Sequence, residues 1–173
     1  MDLHLNDAVK NEVNNSSQRY IKNNGRRLII KVSPFHLREG LHFKNNPNSL
    51  TNSVLVPLDE MTISSLSSVE SFVKTQLSDS DKYKPIWLER AMYVQISKWC
   101  TFDLVKSSGK VFVLPEDVMF GAGMYSIDLQ VSHLYNGPHR GGETCSLSLF
   151  VVNVSYEPQS NMTEIIQEIS DFV

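Results

Sequence analysis

Two long alternating segments, 124–135 and 144–156, stand on either side of one glycine-bracketed stretch, and they limit the folds open to this chain. In the first, Tyr125, Ile127, Leu129 and Val131 alternate with Ser126, Asp128, Gln130 and Ser132. That period of two is a β-strand with one face toward a core. In the second, Cys145, Leu147 and Leu149 oppose Ser146 and Ser148, after which the apolar set becomes Phe150, Val152, Val154 and Tyr156. A slip of one residue implies a bulge, or a strand buried on both faces, around 150–152. The connecting stretch NGPHRGG, Asn136–Gly142, reads as a hairpin turn. Asn136-Gly137 and Gly141-Gly142 are turn formers, and Pro138 stiffens the tip. Long, bulged strands of this kind allow a small barrel to turn its corners.

The rest of the chain is organised around them. RRLIIKVS (26–33) and SVLVPL (53–58) read as strands, with a loop rich in asparagine between them at 36–52. One helix follows, capped by Asp59, with Met61, Leu66, Val69, Phe72, Val73 and Leu77 at helical spacing. Segments 91–97, 99–105 and 110–114 read as further strands, the last two joined by the turn KSSGK. Residues 1–25 read as a polar N-terminal arm, 26–158 as a single β-rich domain and 159–173 as an acidic tail. A chain of 173 residues, 41% hydrophobic, suits one such domain. The expected fold is mainly β with one main helix. An OB-like Greek-key barrel fits, and a jelly-roll-like β-sandwich is the alternative. OB-folds place their helix between the third and fourth strands, whereas here it follows the second.

Charge is unevenly spread. Residues 1–110 carry 15 Lys/Arg against 11 Asp/Glu, while 111–173 carry only Arg140 against 8 acids, for a net charge of −3. Such asymmetry points to an anionic partner or an acidic tail. The basic excess peaks between Arg19 and Lys44, where Arg26, Arg27, Lys31, Arg38 and Lys44 lie among Phe35 and Phe43. A basic run is most often a solvated face. Bases interleaved with aromatics are also what a single-strand binder needs, since any nucleobase can stack on a ring. Tyr93, sharing a polar strand face with Gln95, and Trp99 are the other candidate stacking residues. His139 and Arg140 project from the hairpin tip, where the flanking glycines allow close approach of a phosphate.

Catalytic signatures are missing. The histidines at 4, 36, 42, 133 and 139 have no metal-ligand spacing, and no nucleophile elbow, P-loop or dinucleotide fingerprint occurs. FGAGM (120–124) has two glycines but no helix after it, so it reads as a bend into the next strand. Cys100 and Cys145 form no C-x-x-C pair and read as free thiols. The expectation is a binding protein rather than an enzyme, with no cofactor and no metal. No apolar run reaches the ~18 residues of a membrane helix, so an intracellular protein without a membrane partner is expected.

A basic β-rich body followed by a tail with Glu164, Glu168, Asp171 and the terminal aromatic Phe172 resembles the single-stranded DNA-binding proteins of bacteria and phages. The resemblance covers the charge layout and the last ten residues. It implies sequence-tolerant binding of single-stranded DNA and a homo-oligomer. It also implies a tail that competes with DNA for the groove and docks replication proteins. The compact, asparagine-rich chain extends that expectation to viral replication, in a host nucleus or cytoplasm. The alternative function is a viral structural or assembly protein that binds other subunits, with the strands around Leu147–Val154 forming the interface.

Overall fold

Alternation of apolar and polar residues sets most of the strands. The computed structural model describes residues 1–42, 52–78, 82–86, 88–139 and 142–159. In chain order these hold β1 (Leu3–Leu5), β2 (Val9–Asn11), β3 (Ser16–Asn23), β4 (Arg26–Lys31), β5 (Phe35–Leu37), β6 (Leu41–His42) and β7 (Ser53–Pro57). Helix α1 (Glu60–Gln76) follows, then β8 (Ala91–Lys106), β9 (Gly109–Val113), a 3₁₀ turn at Pro115–Asp117, β10 (Met119–Phe120), β11 (Gly123–His139) and β12 (Gly142–Pro158). The strands hydrogen-bond in the order β1-β3-β4-β11-β12-β8-β7, with β2 on β3, β5 on β11 and β9 on β8; β10 and β6 pair separately. Among the described residues the chain is therefore mainly β with one helix, as its sequence predicts, and its main sheet is open. That strand order is consistent with a barrel-like or a sandwich architecture.

The chain divides into two compact units. The first comprises Met1–Ile30, Val56–Met92 and Leu129–Phe150. Its core includes Leu5, Ile21, Leu28, Leu66, Val69, Val73, Leu129 and Val131. Residues 1–25, expected to be a polar arm, instead form β1, β2 and β3. Leu5 of β1 and Ile21 of β3 are buried, whereas the three residues of β2 are exposed and that strand is held by its pairing to β3. Asn24 and Gly25, at φ 53° and 78°, make the two-residue β3–β4 turn, and Lys22 pairs with Arg27 across it. Helix α1 starts where Asp59 Oδ1 accepts the Thr62 N–H at 2.8 Å, the cap its sequence predicts.

The second unit comprises Lys31–Leu55, Tyr93–Asp128 and Val151–Val173. Tyr125, Phe120 and Tyr156 form its aromatic centre, with Phe120 stacked on Tyr156 at 4.6 Å. The FGAGM stretch bends here as expected. The Tyr125 hydroxyl donates to the Gly121 carbonyl (2.7 Å), and the Tyr156 hydroxyl accepts the Gly121 N–H (3.1 Å). Those backbone groups are satisfied inside the fold, which leaves no phosphate cradle at this bend. The β8–β9 hairpin matches the KSSGK turn.

Candidate nucleic-acid interface

Within the second unit, β8 buries Val94, Ile96, Cys100 and Phe102 and presents the alternate residues outward. Tyr93 is 73% exposed and Trp99 79% exposed on that outward side. Six residues at ~3.3 Å each separate these rings by about 20 Å along the strand, far enough to hold separate bases. Strand β9 adds to the same face. Asp103 pairs with Phe112 and Val105 with Lys110, so Phe112, 60% exposed, and Lys110 flank the β8 row. Lys98 bends over the Trp99 indole, its Nζ 5.2 Å from the ring centroid. Asn153 Nδ2 donates to Thr101 Oγ1 at 2.7 Å and to Asp103 Oδ2 at 3.1 Å, which ties down the acid of this face. Three open rings thus stand on this face, with Lys98 and Lys110 beside them.

The first unit presents a basic row of its own. His4 pairs with Lys22 across β1 and β3, and Lys22 pairs with Arg27 across β3 and β4. Cross-strand partners share a face, so three cationic or protonatable side chains line up across three strands. Like charges placed directly opposite destabilise a sheet. Lys22 Nζ lies 6.0 Å from the centroid of the Tyr20 ring. An anionic strand laid across this row would relieve the repulsion.

The sequence-derived candidates divide accordingly. Tyr93 and Trp99 are open rings on one face. Arg26, Arg27, Lys31 and Arg38 are all exposed, the first two in the first unit and the others in the second. Phe35 is half-buried and stacks against Tyr125 at 6.3 Å and 26°. His139 is exposed at the end of β11. Phe43, Lys44 and Arg140, and the tail residues Glu164, Glu168, Asp171 and Phe172, lie outside the described residues. Sequence reasoning missed Phe112, Lys110, His4 and the partnership of Lys22 with Arg27. The alternation in KVFVL and the Asn24-Gly25 turn dipeptide carried those signals.

Among the described residues, no group of three His, Cys, Asp or Glu side chains comes together to hold a metal. Burial, with Asp103 and Asp128 adding to it, pushes the Cys100 thiol up to about 12, so it stays protonated at neutral pH. No helix among the described residues is long and apolar enough to cross a membrane.

No known protein family, characterised protein or solved structure matches this chain.

Proposed function

We propose that this chain binds single-stranded nucleic acid, DNA first, without strong sequence preference. The observation that carries the proposal is the β8–β9 face, where Tyr93, Trp99 and Phe112 stand open beside Lys98 and Lys110. Large aromatic rings are ordinarily covered in a folded chain, because burial of each is worth several times thermal energy. Rings kept in water on one face are suited to stacking on bases. The His4–Lys22–Arg27 row and the exposed Arg26, Lys31 and Arg38 supply cations for backbone contact. A role in viral replication, self-association and tail-mediated docking of replication proteins belong to the same reading.

Fluorescence anisotropy with labelled oligonucleotides tests it. Affinity should fall steeply as salt rises from about 50 to 200 mM and should favour a single strand over a duplex of the same sequence. On a single strand, each phosphate neutralised by the protein adds ~0.7 to the slope of log affinity against log salt. Replacing Lys22 and Arg27 together with alanine should therefore make that slope shallower by about 1.4. A flat salt response would contradict the proposal.

An assembly role is the second reading, favoured by one observation: Val111, Leu114 and Met119 are exposed apolar residues of the second unit. The strand region expected from the sequence to form such an interface is less suited to it. Leu147, Val151 and Val154 are buried within the chain's own fold.

A further inference from the structure

A pocket of about 320 Å³ in the first unit is lined by Lys84, Tyr135, His139, Thr144, Ser146 and Ser148. Its composition is unusual for a surface dent. Thr144, Ser146 and Ser148 are the outward row of β12, alternating with buried Cys145 and Leu147. Their three hydroxyls therefore point to one side at even spacing. Among the described residues, no carboxylate lines the pocket. Two cationic or protonatable groups and three hydroxyl donors converge where an anion would be held.

The fold holds this arrangement in place. The Lys84 N–H donates to the Cys145 carbonyl at 2.7 Å, and Tyr83 bridges to Cys145, which lays residues 83–84 alongside β12. Glu70 of α1, only 7% exposed, fastens the same segment. Its Oε1 accepts the Tyr83 hydroxyl at 2.7 Å and the Ile86 N–H at 2.6 Å. A buried carboxylate is costly unless fully hydrogen-bonded, so its use here marks the segment that carries Lys84 as one kept rigid. On the opposite side, the Tyr135 hydroxyl donates to the Pro138 carbonyl at 2.7 Å and fixes the backbone just before His139. Lys84 and His139 are thus held by the backbone beside a preformed row of hydroxyls.

We propose that this pocket binds a phosphate group, free or as a monoester. Lys84 supplies charge, and His139, Thr144, Ser146 and Ser148 supply hydrogen bonds to the phosphate oxygens. Inorganic phosphate and a nucleotide's phosphate share this chemistry. The site is independent of the β8–β9 platform, and phosphate binding is read without any oligonucleotide, so failure of one proposal leaves the other standing.

The experiment is an NMR titration of the full chain with inorganic phosphate, thymidine 5′-monophosphate and thymidine, at matched ionic strength with chloride as control. Phosphate and the monophosphate should both shift the amides of Lys84, His139 and Ser146 saturably, and thymidine should not. Tighter binding of the monophosphate would identify a nucleotide as the source, and equal binding would identify free phosphate. Lys84→Gln and Ser146→Ala, both on the surface, should each weaken binding at least about tenfold, the effect of losing one charge-assisted or well-aligned hydrogen bond. Shifts no larger than those in chloride, or unchanged affinity in Lys84→Gln, would overturn the proposal.

Discussion

His133 is buried beside Tyr20, whose ring meets it edge-on at 5.6 Å, and its Nδ1 lies 3.1 Å from Ser132 Oγ. Burial lowers its pKa below the ordinary 6.5. Below that pH the unfolded chain takes up a proton that the folded chain resists. His133 therefore leaves stability untouched above about pH 6.5 and reduces it as pH falls below that value. Urea unfolding at about pH 7.5, 6.5 and 5.5 should show a loss that His133→Gln makes smaller; an identical pH slope in the variant would contradict this account. At this scale the sequence is readable where one side chain does one local job. Asp59 stands out as a cap because its oxygen meets a nearby N–H. The fate of Phe35 is not readable, because only the fold brings Tyr125 against it. The burial of Glu70 is hidden for the same reason: its partners, Tyr83 and Ile86, lie in a segment with no secondary structure of its own.

Individual elements are legible in proportion to their apolar alternation. Strands β11 and β12 are long and stand where the alternation predicts, but β11 runs on through Asn136–His139, which the sequence assigns to the turn. The expected change of phase in β12 is present, but it falls between Val151 and Val154 rather than around 150–152. It shifts because Leu149 and Phe150 are only half-buried. The sequence divides 91–106 into two strands, 91–97 and 99–105, at Lys98; Lys98 is exposed and one strand runs through it. Strands β1 to β3 escape a pattern-based reading because β1 and β2 are only three residues long and β3, SSQRYIKN, has a single large aliphatic side chain, Ile21, in eight residues. The turns that end these elements offer a direct comparison. Gly40, at φ 76°, sits where an added Cβ would strike the Phe120 carbonyl and Gly121, whereas Gly25, at φ 78°, opens onto empty space. Both alanine variants carry the strain of positive φ, at least about 1 kcal/mol, and Gly40→Ala adds a backbone clash. Chemical denaturation should rank Gly40→Ala as clearly the more damaging; the reverse order would contradict the described packing of β6 and β10.

For the molecule as a whole, apolar alternation indicates the mainly β class and residue counts give the charge asymmetry. The identity of the exposed face does not follow. Whether a tryptophan lies in the core or in water depends on which strand pairs with which. Trp99 and Phe112 come to one face only through the β8–β9 register. The central claim is that this face stacks on single-stranded nucleic acid, and the affinity of Trp99→Ala for a labelled oligothymidine strand tests it most directly. Trp99 is 79% exposed, so its loss should leave the melting temperature nearly unchanged. The account predicts a loss of about 1–3 kcal/mol in binding, roughly five- to 150-fold in Kd, with folding intact. Wild-type affinity in a folded Trp99→Ala protein would contradict it.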